Sequence, residues 1–267
     1  MKKYLSFFRI RFINGLQYRA AAYAGIATQF AWALIELLMY SAFYRSNPAA
    51  IPMEMNQLTS YIWLRQAFLC LFMTWYYDGD ILDLVTSGNV AYELCRPVDI
   101  YSMWFLKNAA TRVSRMVLRC MPILVFSLFL PNNIGLSLPA DPLSLVMFLI
   151  SIVIGSMLSI SFTMLIYIST FYTVSSLGVR IVATNIASFL SGELIPLPFL
   201  PDSLRTVITI LPFASMQNTP FLIYNGVYGH NEALNMMLLQ LFWLAIIFGA
   251  GKLWISGAVK KVVVQGG

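Results

Sequence analysis

Long apolar runs separated by short polar breaks organise this chain. The runs reach about 18 residues or more, the length a helix needs to cross about 30 Å of hydrocarbon. They predict about six transmembrane helices, over 20–43, 58–77, 112–130, 142–171, 180–195 and 233–256. The breaks carry turn-forming residues: Arg45-Ser46-Asn47-Pro48 after the first run, Asp78-Gly79-Asp80 after the second, Pro131-Asn132-Asn133 after the third. The fold class is an all-α membrane protein, with one transmembrane domain over 1–267.

Some stretches depart from the span pattern. In 1–19, Leu5, Phe8, Phe12 and Leu16 recur at helical spacing, with Lys2, Ser6, Arg9 and Gln17 on another side. That pattern predicts an N-terminal interfacial helix on the cytoplasmic surface. No clean apolar core or small-residue cleavage site marks it as a signal peptide. In 78–103, Ile81, Leu84 and Val85 predict a short amphipathic helix, Gly88 and Asn89 a stop, and Pro97 the end of the next turn. A cytoplasmic loop this apolar is expected to dock on something, a partner or the membrane interface. In 192–230, Pro196, Pro198, Pro201 and Pro212 are too many for a straight span. A pair of short re-entrant helices dipping in from outside fits better, and irregular backbone survives at that depth only where protein or water covers it.

Composition agrees with the pattern. Of 267 residues, 59% are hydrophobic and 10% charged, against about 25% charged in a soluble domain. The net charge of +6 forms no single basic face, which argues against a nucleic-acid partner. Instead Lys2, Lys3, Arg9, Arg11, Arg19, Arg96, Lys107, Arg112, Arg115, Arg180, Lys260 and Lys261 fall in segments of one side, and Arg45 and Arg205 on the other. The positive-inside rule then places both termini in the cytoplasm of a bacterial inner membrane, with the chain crossing many times.

Candidate chemistry is sparse. Gly251-Lys252 lacks the following Ser or Thr of a nucleotide-binding loop. Neither H-E-x-x-H nor G-x-S-x-G occurs, His230 is the lone histidine, and Cys70, Cys95 and Cys120 show no metal or disulfide spacing. The expectation is a chain that is no enzyme, with no catalytic residue, metal site or cofactor of its own.

Ionisable residues inside spans matter more, because an unpaired charge there costs at least a few kcal/mol. Glu36 and Arg65 lie at matching depths of antiparallel spans, so they are expected to pair. The pair serves either as a packing clamp or as part of a proton or substrate path. Arg112, Arg115 and Arg119 form a stripe at helical spacing. They either snorkel to lipid phosphates or form the basic wall of an inward-facing vestibule for an anionic or amphipathic substrate. Ser151, Gly155, Ser159 and Thr163, and likewise Thr184, Ser188 and Gly192, repeat every four residues and read as packing seams.

Gly88, Leu94 and Pro97, in the order Gly-x-x-x-x-x-Leu-x-x-Pro after an apolar turn, resemble the coupling region of type-2 (ABC-2-type) ABC exporter permeases. Ser191-Gly192-Glu193-Leu194-Ile195-Pro196-Leu197 with Leu211-Pro212-Phe213 is similar to that family's re-entrant pair. The closing Val264-Gln265-Gly266-Gly267 points to a bacterial branch with unlike permeases working in pairs. The resemblance covers nearly the whole chain. It implies a permease subunit that moves an amphipathic or hydrophobic substrate outward. ATP and Mg would sit on a partner ATPase dimer, and a second permease and membrane lipids complete the assembly. Coupling would run through Ile81, Leu84, Val85, Gly88, Leu94 and Pro97, and an outer gate would involve Gly192, Glu193, Pro196 and Pro212. The competing functions are an ion-coupled secondary transporter using Glu36 and Arg65, and a non-transporting membrane scaffold.

Overall fold

A computed structural model describes residues 2–46, 52–131, 134–173 and 175–261. The expected turns at Asn47-Pro48 and Asn132-Asn133, and the closing 264–267, lie outside the described residues. The described chain is helical throughout and contains no strand. In order the helices are α1 (Lys2–Leu16), α2 (Arg19–Ser46), α3 (Met55–Phe72), α4 (Gly79–Thr86), α5 (Val90–Leu94), α6 (Ile100–Leu128), α7 (Pro142–Ser169), α8 (Ser176–Leu190), α9 (Asp202–Ile210), α10 (Ala214–Tyr224) and α11 (His230–Ala258). Three are long and apolar enough to cross a membrane: α2, α7 with its 3-10 extension to Tyr172, and α11.

The central column is α3. From Leu58 to Phe72 only Leu69 escapes full burial, because α2, α6, α7 and α10 all pack on it. Aromatic side chains fill this core: Tyr61 and Phe72 meet Phe221 edge-on, and Phe68 meets Phe148. A second core gathers at the other end of the bundle, where Ile81, Leu82 and Val90 pack with Tyr101, Trp104, Tyr167 and Ile255.

Helices α1 and α2 together follow α6 along its length. Near the start, Lys3 Nζ donates to the Pro97 carbonyl at 2.7 Å and the Asp99 amide to Tyr4 Oη at 3.1 Å. Farther on, Arg119 reaches the Ala21 carbonyl at 3.2 Å, and Phe30 stacks edge-on against Phe126 at 4.7 Å. The chain bends between α1 and α2 at Gln17-Tyr18.

Several boundaries move from the sequence expectation for visible reasons. The polar stretch ends at Asp99 rather than near 103, because the Asp99 carboxylate caps α6 through the Ser102 amide. The second run stops at Phe72, where Arg112 and Ser159 take up the Leu71 and Phe72 carbonyls. The fifth ends at Leu190 rather than 195, and Gly192 turns the chain with φ +80°. After it, α9 and α10 form a helical hairpin. Its tip is held by Phe213 against Phe162 of α7 and by Trp243 of α11, which donates to the Ile210 carbonyl at 2.8 Å.

Candidate functional site

Between α3 and α6 the chain folds into the pair α4–α5, whose geometry is set from beneath. The Asp78 carboxylate caps α4 by accepting from the Asp80 amide, and the Asp78 amide donates to Tyr167 Oη at 2.7 Å. Lys107 Nζ, on α6, donates to Asp78 Oδ1 at 2.9 Å and Asp80 Oδ2 at 2.8 Å. That ammonium holds the Asp80 carboxyl below its ordinary value of 3.8. Trp104 Nε1 donates to Glu93 Oε2 at 2.9 Å and fastens α5. Both short helices are thus bolted to α6 and to the end of α7.

This arrangement corrects the expected docking surface. Ile81 is 1% exposed and packs in the second core, so it supports the turn and cannot meet a partner. Leu84 and Val85 are half-buried. The outward side holds Gly88, with φ +74°, together with Tyr92, Leu94 and Pro97. Tyr92 is 75% exposed, an aromatic ring that sequence reasoning passed over. Its place between Gly88 and Leu94 was the available signal, but only the backbone path reveals which face it takes.

Midway along α3, Arg65 is buried and bonds both the Glu36 carboxylate and the Glu193 carbonyl. Two ionisable residues from separate helices are thereby brought together. The Glu193 side chain accepts from Thr74 Oγ1 at 3.3 Å, and Thr74 Oγ1 shares a hydrogen bond with Ser188 at 2.9 Å. Tyr61 Oη donates to Asn218 Oδ1 at 3.0 Å and lies 3.3 Å from the Gly192 carbonyl. Gly192 and Glu193 therefore sit beside the middle of the central helix. Pro196 is buried beside them, whereas Pro212 lies half-buried in the hairpin tip.

The arginine stripe splits. Arg112 is fully buried and donates to the Leu71 carbonyl (2.8 Å), Ser159 Oγ (3.2 Å) and Thr163 Oγ1 (2.9 Å). It neither snorkels nor lines a vestibule; it holds the end of α3. Ser159 and Thr163, read as a packing seam, serve here as its acceptors. Arg115 lies 3.9 Å over the Tyr76 ring and, with Arg119, borders an inner cavity.

A family model described as ABC-2 family transporter protein matches residues 30–266. The chain belongs to that family. This makes it a membrane component of the ABC-2 transporter type, a family of permeases without an ATPase domain of their own. The match takes in α3 to α11 and most of α2, so both the α4–α5 pair and the Arg65 centre fall inside the ABC-2 region. No curated protein matches the chain.

Proposed function

We propose that this chain is the permease subunit of an ABC exporter, driven by a partner ATPase that grips the α4–α5 pair. The observation that carries the reading is the contrast within that pair. Its inner side is fixed by Lys107, Trp104 and Tyr167, while the side chains of Tyr92, Leu94 and Pro97 are exposed. A rigid, partly apolar knob suits a cleft in another protein, since preorganised surfaces lose little entropy on docking.

In this reading α3, α6 and α8 cross the membrane beside α2, α7 and α11, giving six spans with both ends in the cytoplasm of an inner membrane. At 1.5 Å per residue the 18 residues of α3 run about 27 Å, and the 29 of α6 about 43 Å. Helices α9 and α10 are the re-entrant pair, entering from outside and turning at Leu211–Phe213. Closure of the ATPase moves α4–α5 and with them α6, to which they are bound. The path between this permease and a second, unlike one then opens outward for an amphipathic or hydrophobic substrate. The Gly192–Glu193 turn gates it at mid-height.

Gentle-detergent purification from the native host tests the assignment. The chain is expected to emerge with an ATP-hydrolysing subunit and a second multi-span chain. Isolation alone, with solute still moved in vesicles under an ion gradient, favours a secondary transporter built on Glu36 and Arg65 and removes the reading.

A further inference from the structure

At the bend between α1 and α2 lies a cavity of about 620 Å³, walled by Asn14 to Tyr18, by α6 from Lys107 to Arg119, and by Tyr76 to Asp80. Four cations border it, Arg11, Lys107, Arg115 and Arg119, against two carboxylates, Asp78 and Asp80. Lys107 binds both carboxylates. Among the described residues no ion pair reaches Arg11, Arg115 or Arg119. Asp80 also feels the charge of Arg11, so the hollow holds four cations against two carboxylates, and Arg115 and Arg119 have no ion-pair partner among the described residues.

Their positions are held rather than loose. The Tyr76 ring supports Arg115 at 3.9 Å, and the Phe7 ring lies 5.3 Å from the Arg11 guanidinium. Arg119 is tethered to the Ala21 carbonyl, and its Nε is buried with no hydrogen-bond partner. That nitrogen is sealed in the protein, since the Arg119 guanidinium lies against Gly25 of α2; what a guanidinium at the cavity wall offers a phosphate is its planar fork of outer N–H groups, which matches phosphate oxygens. Tyr18, Ala21 and Ala22, where α2 begins its apolar run, line the cavity; with the termini in the cytoplasm, as the proposed function has it, that is the level of inner-leaflet phosphates. Above it, Leu118, Pro122 and Phe126 continue the face that carries Arg115 and Arg119, with Pro122 exposed and Phe126 46% exposed. That strip offers an apolar track for an acyl chain.

We propose that this cavity binds the phosphate of an anionic inner-leaflet phospholipid, held by Arg115 and Arg119 with Arg11 closing over it. The lipid adds an anion where cations of α1 and α6 outnumber the carboxylates of the cavity. The proposal concerns lipid retention and does not depend on what the permease transports.

Native mass spectrometry of the purified protein, stripped and then offered defined lipids, tests it. Phosphatidylglycerol should be retained in preference to phosphatidylcholine of the same chains. Arg115→Gln with Arg119→Gln should cut that preference roughly thirtyfold, about fivefold for each guanidinium near a charged surface. Arg96→Gln, on an exposed arginine outside the cavity, should leave it unchanged. Equal retention of the two lipids, an undiminished preference in the double variant, or an equal loss in Arg96→Gln would overturn the site. Glycerol phosphate, a headgroup without chains, should fail to displace the lipid at millimolar concentration; displacement would assign the cavity to a soluble phosphate and overturn the lipid proposal. If the double variant does not fold, Arg11→Gln, on the exposed side of α1, should still lower the preference roughly fivefold, and no change in it would count equally against the site.

Discussion

Arg65 and Arg112 are both buried guanidinium groups, yet they answer the cost of burial differently. Arg65 has an anion, Glu36, and a carbonyl, whereas Arg112 has only neutral acceptors. Removing one member of a buried pair leaves the other charge uncompensated, a loss of about 3–5 kcal/mol. Arg65→Met is therefore expected to lower the thermal midpoint in detergent by that equivalent, and adding Glu36→Gln should recover part of it. Full additivity of the two would show that they do not interact. If Glu36→Gln and Arg65→Leu instead each abolish transport while assembly stays normal, the pair does more than clamp. At Arg112 the hydroxyls of Ser159 and Thr163 have carbonyls of their own to donate to, so only the Leu71 carbonyl depends on the guanidinium. Arg112→Met keeps the volume and should cost about 1–3 kcal/mol for that one acceptor. Arg112→Ala adds a cavity and should cost about 2–5 kcal/mol. Denaturant unfolding of the two variants side by side checks the order.

Helix contacts translate such details into function. Charge on α4–α5, as at half-buried Leu84 (Leu84→Glu) or exposed Leu94 (Leu94→Glu), should break the link between ATP hydrolysis and transport while membrane insertion remains normal. Leu94 is the cleaner test, being exposed, and unchanged transport in Leu94→Glu would count heavily against docking there. Ile81→Asp should instead reduce folded protein, because that side chain lies in the core. Where α7 meets α10, a Cβ added at Gly155 would lie 2.1 Å from the Met216 carbonyl oxygen, a backbone atom with little room to yield. Gly155→Ala is expected to cost about 1–3 kcal/mol, as overpacking does, and a thermal midpoint equal to the parent's would refute the close approach. At the other end of α7, hydrogen bonds from Ser144, and then His230, hold the Asp141 carboxyl down at about 2 against its ordinary 3.8. A lowered folded value means that this contribution is complete above 3.8 and is lost as pH falls toward 2. Stability measured across that window should decline more steeply for the parent than for Asp141→Asn.

For the molecule as a whole, the legible part was everything that depends on local runs of residues. Apolar runs placed helices near α2, α3, α6, α7, α8 and α11, three of which (α2, α7 and α11) are long and apolar enough to cross a membrane, because run length is a property of contiguous sequence. Proline density in 192–230 marked the irregular segment, since each proline bars continuation of a helix locally. Matching depth in antiparallel runs is enough to pair Glu36 with Arg65, because depth follows from position along each run. Other relations join residues far apart in the chain, and no periodicity encodes those. Glu193 meets Arg65 across 128 positions, and Gly192 lies beside Tyr61 only because α8 stops short and the hairpin fills the space above it. The same helical spacing that aligned Arg112, Arg115 and Arg119 said nothing of how α3 and α7 would close over the first and leave the other two beside a cavity. Membrane embedding and helix content follow from composition, because the hydrophobic effect acts on each run separately. Depth, partnership and exposure of single side chains follow from packing, which is cooperative and belongs to the assembled helices.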